Sequence, residues 1–363
     1  MPARLCSPCW KDICCAGVSA PSKPPRTKHK FAPDVSIPPP MKKVAIMNRM
    51  MRNIFRLILV ACVAFAAMAA GPASAQTKVR LGAQTIGDYI AAYMGQEYGI
   101  YAKHGLDVTL QPITISTLAA ASLMSGSLDL ATSTVPDMIQ AVDNGIDLVA
   151  ISGIGVLAQK GGTRSGVVVQ PGVNITKASD FIGKKVGISA LGGLLHILFQ
   201  NYLMENGVDP QKVTYVEIPI PSHFDAMKSH SVDAVVTADP MMARILATKV
   251  GKEVLAFGNA VPPNTITAAI TSTREYARKN PAVIAKFRQA WQEATDMAIN
   301  QPEKARAAMV KYLKLPAPVA ATIQMPLTLS TSITLKQLQW WQDIMRKEHL
   351  IQGKTDLSKV ILP

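Results

Sequence analysis

Short apolar runs alternate with segments of helical spacing along the chain after Gln76. The run Lys185–Ser189 predicts a strand, and apolar residues from Leu194 to Tyr202 then recur on one helix face. Gly207 follows where a helix C-cap belongs. The next segments are predicted as a strand, a short helix and a strand over Val213–Ile218, His223–Ser229 and Val232–Thr237. Strands that alternate with helices indicate a mostly parallel sheet.

The same order of elements is predicted earlier in the chain. Strands are predicted over Val79–Ala83, Val108–Ile113 and Leu128–Thr132, with helices over Tyr89–Lys103 and Leu118–Met124 between them. The segment Ser125–Ala131 matches Ser229–Val235 as S-x-S-apolar-D-x-x. Each is followed by a proline, Pro136 or Pro240, and the offset between the copies is 104 residues throughout. We therefore predict a duplicated α/β unit.

The last part of the chain is predicted to be mainly helical. A strand over Thr265–Thr271 precedes helices over Arg274–Lys279, Ala282–Asn300, Pro302–Leu313 and Leu335–His349. We expect this tail to return to the first unit, with crossings at residues 161–164 and 259–264. Two crossings are typical of a hinged clamshell. The predicted lobe 1 is residues 76–162 plus 264–363, and the predicted lobe 2 is residues 163–263.

An apolar run precedes the duplicated units. Leu57–Ala70 contains fourteen apolar residues, fewer than the roughly 20 that a membrane-spanning helix needs. Arginines precede this run and a small-x-small sequence follows it, ending at Ala75. This pattern predicts a signal peptide over residues 47–75, cleaved after about Ala75, with an uncleaved anchor as the alternative.

Two features of the N-terminal region have competing interpretations. Leu59–Cys62 matches a lipobox, but only five apolar residues precede Cys62 in this run, so we favour cleavage over lipidation. Residues 1–46 are rich in Pro and Lys, which indicates either a disordered head or a start site assigned too early. All five cysteines precede Ala75, which excludes disulfides and cysteine catalysis from the remainder.

Charge and missing motifs narrow the classes of function. The net charge of +14 lies mostly in residues 1–75, and the remainder holds 27 basic and 22 acidic residues. That mild excess removes the compositional support for nucleic-acid binding. The sequence after Ala75 has no phosphate-binding glycine loop, serine-nucleophile elbow or metal-ligand spacing. We therefore predict no catalytic residue, no metal and no cofactor.

Candidate ligand-binding residues lie in the loops that follow the predicted strands, since parallel sheets bind ligands beyond the carboxyl ends of their strands. These loops lead into helix N-termini, whose free N–H groups bind anions. The candidates are Thr85, Asp88, Tyr89, Ser116, Thr117, Ser133 and Thr134 in lobe 1, and Leu191, Gly192, Gly193, Leu194, Ser222 and Asp239 in lobe 2. The competing interpretation is that the hydroxyls and carboxylates only stabilise helix starts and that Tyr89 packs in the core.

Several longer stretches carry a family resemblance. GQEYGIYAKHGLDVTLQPI, MSGSLDLATSTVPDMIQA, DFIGKKVGISALGG and VDAVVTADPMMAR resemble successive signatures of the periplasmic substrate-binding proteins of ABC transporters, nitrate/sulfonate/taurine type. That family also contains binders of thiamine pyrimidine precursors. The resemblance implies a two-lobed, type II-like clamshell that captures a small solute, expected to be anionic or aromatic. Such a protein works as a periplasmic monomer and delivers its solute to a permease in the inner membrane.

The resemblance leaves two other functions open. A ligand sensor that presents its solute to a membrane receptor fits the same sequence. An enzyme on the same fold, similar to those of pyrimidine synthesis, is a more remote alternative because it needs catalytic cysteine or histidine. Sulfonates, nitrate-like anions and pyrimidines all remain possible solutes.

Overall fold

The computed structural model describes residues 51–52, 55, 76–157 and 164–363. The chain divides into two compact units, Met1–Ala73 and Ser74–Pro363, and the described residues of the first unit are helical. The predicted head over residues 1–46, most of the predicted signal peptide over residues 47–75 with Cys62, and residues 161–163 of the first crossing lie outside the described residues. Across the described ranges, no helix is both long enough and apolar enough to cross a bilayer.

Two five-stranded sheets organise the unit Ser74–Pro363. The strands of the first sheet are β1 (Thr77–Ala83), β2 (Leu106–Pro112), β3 (Leu130–Thr134), β4 (Leu148–Val156) and β10 (Ile266–Thr273). Those of the second are β5 (Ser165–Val169), β6 (Lys185–Ile188), β7 (Thr214–Glu217), β8 (Ala234–Ala238) and β9 (Lys252–Ala256). Lobe 1 denotes the first sheet with its helices, and lobe 2 the second.

The two sheets have the same strand order and directions. The orders are β2-β1-β3-β10-β4 and β7-β6-β8-β5-β9. In each sheet one strand, β10 or β5, runs antiparallel to both neighbours, and the other strands share one direction. The predicted fold, two α/β lobes with mostly parallel sheets, is confirmed.

The helices lie between and after these strands. They are α1 (Ile90–Glu97), α2 (Ile100–Lys103), α3 (Leu118–Met124), α4 (Val135–Asp143), α5 (Leu194–Glu205), α6 (His223–Lys228), α7 (Met241–Ala247), α8 (Arg274–Lys279), α9 (Pro281–Asn300), α10 (Pro302–Tyr312), α11 (Ala317–Ala320) and α12 (Leu335–Lys347). The single helix predicted over Tyr89–Lys103 is wrong. It is broken into α1 and α2 at Gly99, whose φ of 66° is left-handed and therefore interrupts a right-handed helix.

The aspartate of the repeated motif has the same structural role in both lobes. The backbone N–H of Arg80 donates to the Asp129 carboxylate at 2.8 Å, and that of Lys185 donates to Asp233 at 2.7 Å. The N–H of each aspartate returns a bond to the carbonyl of the same partner. Each aspartate thus fixes the start of one strand beside the next, which explains why the motif occurs twice.

The chain leaves the first sheet after β4 and returns to it at β10, so it crosses twice between the sheets. The strand that follows each crossing, β5 or β10, takes the antiparallel position in its sheet. Strand membership thus matches the predicted route of the chain, while the exact lobe limits, 162–163 and 263–264, stay a prediction.

The helix α12 is anchored by a buried tryptophan. Trp341 is fully buried, and its indole N–H donates to the Ile266 carbonyl at 2.6 Å. It belongs to an apolar cluster that also contains Met138 of α4 and Val236 of lobe 2. The neighbouring Trp340 is half-buried and only packs against this cluster. Trp341 therefore packs in the core. Adjacent residues of a helix lie on different faces, so Trp340 does not occupy the same position.

We expect Trp341→Ala to lower the free energy of unfolding by about 3–5 kcal/mol, because it opens a cavity and leaves the Ile266 carbonyl without its donor. Trp340→Ala is the matched control and should cost clearly less. Chemical denaturation of both variants checks this. Equal losses would contradict the assignment of Trp341 as the anchor.

Candidate ligand-binding site

A cavity lies where the carboxyl ends of the parallel strands of both sheets approach each other. Its volume is about 80 Å³, enough for several ordered waters or a small chemical group. Lobe 1 contributes Gln84, Thr85, Ile86, Asp88, Tyr89, Ile113, Thr114, Ser116, Thr134, Leu157 and Thr267, and lobe 2 contributes Ser165, Ser189, Leu194, Leu195, Ile220, Pro221 and Ala238. The cavity thus belongs to both lobes and lies where an open parallel sheet binds its ligands.

Six of the predicted site residues line this cavity. They are Thr85, Asp88, Tyr89, Ser116, Thr134 and Leu194. Five of them come from lobe 1, where β1, β2 and β3 all end at this edge. Whether any of these residues touches a solute stays a prediction.

Other predicted residues lie elsewhere. The Ser133 hydroxyl is buried against the Thr271 hydroxyl at 2.6 Å, so it joins β3 to β10. Thr117 and Ser222 are exposed, and Leu191 is 56 % exposed. None of these four belongs to the cavity lining.

The amides of the Gly192–Gly193 loop are already bonded. The Gly192 N–H donates to Nδ1 of His196 at 2.9 Å, and the Gly193 N–H donates to the Ala190 carbonyl at 3.2 Å. The expectation that these amides point at a solute is therefore corrected. The first turn of α5 offers donors one step later, since Leu194 and Leu195 line the cavity and their N–H groups have no intrahelical acceptor.

Asp239 is a structural residue in this conformation. It is fully buried, and its carboxylate accepts from the N–H groups of Arg164 at 3.0 Å and Ala243 at 2.9 Å. Arg164 Nε lies 3.5 Å from the same carboxylate. The Asp239 carbonyl also accepts from the N–H of Gly87 in lobe 1 at 3.2 Å. Asp239 thus joins the two lobes beside the cavity instead of lining it.

The candidate residues do not include several polar residues of the lining. Gln84 and Ser189 follow β1 and β6, so the rule that points to strand ends could have found both. Ser165 and Thr267 lie at the amino ends of the antiparallel strands β5 and β10. Because β5 and β10 run antiparallel to their neighbours, their amino ends lie at the sheet edge where the parallel strands end. Only the observed strand directions show this.

Carboxylates are the charged groups in and behind the described part of the cavity lining. Asp88 is the one charged residue among the described lining residues. Asp137, in the first turn of α4, is buried close to Ser116 and Thr134 of the lining. Burial raises the pKa of Asp137 to about 6, and the nearby hydroxyls of Thr134 and Ser116 offset this only in part. Neither carboxylate oxygen makes a hydrogen bond of normal geometry within the part of the chain described.

The two histidines near the site are neutral at pH 7. Burial lowers the pKa of His196 to about 4 and that of His223 to about 4. His196 Nδ1 accepts the Gly192 N–H, and His223 Nε2 lies 2.8 Å from the Ile218 carbonyl. Both rings therefore support loops. Among the described residues, no group of three metal-ligating side chains comes together.

The geometry agrees with a family comparison. The family model described as NMT1/THI5 like matches residues 87–305. The chain belongs to the NMT1/THI5-like family. A Brucella abortus (strain 2308) protein, provisionally named a binding protein, is 25% identical over 239 residues, which cover 62% of this chain and 70% of that protein. The resemblance stated from the sequence motifs is thereby confirmed.

Solved structures share the fold of this NMT1/THI5-like chain. The alkanesulfonate-binding protein SsuA from Xanthomonas axonopodis pv. citri, bound to MOPS, superposes with a TM-score of 0.69 at 14% identity, over 79% of this chain and 98% of that one. The periplasmic nitrate-binding protein NrtA from Synechocystis PCC 6803 gives 0.67 at 16%, over 78% and 86%. The desulfurization enzyme DSZB superposes with a TM-score of 0.61 at 15% identity, over 79% of this chain and 96% of that one. At these identities the likeness establishes the fold.

We expect Asp137→Asn to stabilise the protein at pH 7. A raised carboxyl pKa favours the protonated folded state, so stability is lost as pH rises from the ordinary Asp pKa through about 6. At 1.36 kcal/mol per pKa unit, the gain at pH 7 is on the order of 3 kcal/mol.

Urea denaturation at pH 7 and at about pH 4.5 checks this expectation. The gain should shrink at the lower pH, where the wild-type carboxyl is protonated. Asp107→Asn, on the exposed part of β2, is the control and should change little. A destabilised Asp137→Asn variant at pH 7 would show that the carboxylate has a stabilising partner.

Proposed function

We propose that this protein is the extracytoplasmic solute-binding component of an ABC importer. It captures a small organic solute between its lobes and delivers it to a permease in the membrane. The observation that carries the proposal is the cavity shared by both lobes, with the first turn of α5 on one wall and the loops after β1, β2 and β3 on the other.

Capture follows from the way the lobes meet. The Gly87–Asp239 hydrogen bond joins the two sheet edges beside the cavity, and a Cβ added at Gly193 would lie 3.6 Å from Ser116 Oγ across it. A cavity of about 80 Å³ admits a small group as it stands, and a larger solute enters only if the lobes separate. The two chain crossings provide the hinge for that separation.

The names of the structural neighbours support a transport role. Those proteins bind alkanesulfonates and nitrate, and one is periplasmic by name. The predicted leader over residues 47–75 supports export in the same way. We propose a monomer in the periplasm, with its leader cleaved.

Binding is favoured over catalysis. DSZB demonstrates that this fold can support an enzyme, so the fold alone does not decide. The sequence after Ala75 contains no cysteine, and His196 and His223 are neutral and bonded to loop backbone. Among the described lining residues there is therefore no cysteine nucleophile and no histidine base. The sensor alternative uses the same cavity and differs only in the membrane partner.

Filling the cavity tests the proposal. Ala238 lines the cavity at the end of β8, and Ala238→Phe places a ring in the space that a solute would occupy. A thermal-shift screen of the wild-type protein against sulfonates, oxyanions, carboxylates and pyrimidines first identifies a ligand. A ligand at 100 times its Kd stabilises the fold by about 2.7 kcal/mol.

We expect Ala238→Phe to abolish the ligand-induced rise in Tm while the ligand-free protein stays folded. Ala260→Phe, at an exposed position of lobe 2, is the control and should retain the rise. A full rise in Ala238→Phe would place the solute outside this cavity.

A further inference from the structure

A second concave surface lies apart from the cavity between the lobes. It is a groove of about 590 Å³ between α5, residues 259–262 of the second crossing, and α12. This volume is within the range of small-molecule sites. None of the described residues that line the groove also lines the cavity, so the two are separate.

The α12 wall of the groove is fixed at two points. The Gln337 side chain donates to the Asn264 carbonyl at 2.8 Å, and the Trp341 indole N–H donates to the Ile266 carbonyl at 2.6 Å. Both acceptors lie at the end of the second crossing or directly after it. The groove is therefore preformed in this conformation, and a ligand need not order α12 in order to bind.

The floor of the groove is apolar, and its rim carries charges of both signs. Val261 and Ile344 are buried and form part of the floor. The exposed rim residues Glu205 and Asp343 are acidic, and the exposed Lys347 is basic. Because the rim has both signs of charge, it favours a neutral ligand over a strongly anionic or cationic one.

One aromatic ring borders the groove. Trp340 is half-buried, and its ring meets that of Trp341 nearly edge to face, with the ring centroids 4.8 Å apart. This contact restricts the Trp340 ring. A planar ring of a ligand can pack against the part of Trp340 that stays exposed.

One buried polar side chain of the groove lacks a partner. Asn201 of α5 is only 6 % exposed and lines the groove. Its side-chain amide makes no hydrogen bond with any described residue. An amide offers two N–H donors and an oxygen acceptor, and burying it without partners costs free energy. A ligand with a donor and an acceptor side by side would remove this cost.

We propose that this groove is a second ligand site, which binds a small neutral aromatic carboxamide. The ring packs against Trp340 and the apolar floor. The carboxamide pairs with the Asn201 side chain through one hydrogen bond in each direction. This inference does not rest on the proposed function, because the groove and the cavity share no described lining residue.

Titration of the purified full chain with benzamide tests the inference, with nitrogen-15 NMR of the tryptophan indoles as the readout. The sequence has four tryptophans, and the signal that is lost in Trp340→Phe identifies Trp340. This signal should shift saturably, with a Kd on the order of 1 mM for so small a ligand. Trp291 is the internal control and should not shift, since it is fully buried and its indole N–H donates to the Gly153 carbonyl.

Two altered probes test the two halves of the contact. N,N-Dimethylbenzamide lacks the N–H donors, and cyclohexanecarboxamide lacks the aromatic ring. Each should bind several-fold more weakly than benzamide, because one loses a hydrogen bond and the other loses the ring contact. Equal affinity of the three probes, or no shift with any of them, would overturn the inference.

Asn201→Leu should weaken benzamide binding several-fold and remove the preference for benzamide over N,N-dimethylbenzamide. Asn206→Leu, at the exposed position that follows α5, is the control and should keep both the affinity and the preference. Chemical denaturation confirms that both variants are folded. A preference that survives in Asn201→Leu would overturn the amide pairing.

Two ring insertions separate this inference from the proposed function. Ala260 is exposed and lines the groove, so Ala260→Phe should abolish the benzamide-induced shift of Trp340. Ala238→Phe fills the cavity instead and should keep the shift. Binding that persists in Ala260→Phe would overturn the inference. If that binding is lost in Ala238→Phe, benzamide lies in the cavity, and solute capture stands without the second site.

Discussion

The loop after β1 and lobe 2 are joined at one buried residue, Asp239. Asp239 has no exposed surface, and burial raises the pKa of its carboxyl group even though the carboxylate accepts two backbone N–H groups and lies 3.5 Å from Arg164 Nε. Its carbonyl bonds to Gly87 of lobe 1. A single residue therefore fixes the starts of β5 and α7 and holds the loop after β1 against lobe 2. The cavity lies beside this junction, since Ala238 and Ile86 are among its lining residues.

Duplication explains why a cavity forms there. Two sheets of identical strand order, each with its parallel strands ending at one edge, place two sets of loops face to face. The loops need not be alike for this purpose. Lobe 1 contributes most of the polar lining side chains, and lobe 2 contributes the first turn of α5 and mainly apolar side chains. The duplicated framework thus supports two walls of different polarity.

The sequence could predict the framework because its signals are local. The repeated motif that contains Asp129 and Asp233 is visible when the two halves of the sequence are aligned. Apolar periodicity indicates most of the helices. The site depends on strand directions and on hydrogen-bond partners, which the periodicity of apolar residues does not predict. Ser165 lines the cavity because β5 runs antiparallel to its neighbours. The Gly192 N–H donates to the His196 ring, so it is not available to a solute. Asp137 lies in α4, a helix that apolar spacing did not predict. Thr134 is the N-cap residue of this helix, and its hydroxyl oxygen accepts the Asp137 N–H.

Capture by lobe closure is the central claim, and the distance between the lobes tests it directly. The unit Ser74–Pro363 contains no cysteine, so spin labels can be placed at Thr117→Cys and Ser222→Cys, exposed positions next to Ser116 and Pro221 of the cavity. A saturating solute should shorten and narrow the distribution of distances between the labels. An unchanged distribution, with binding confirmed by calorimetry on the same sample, would contradict capture by closure.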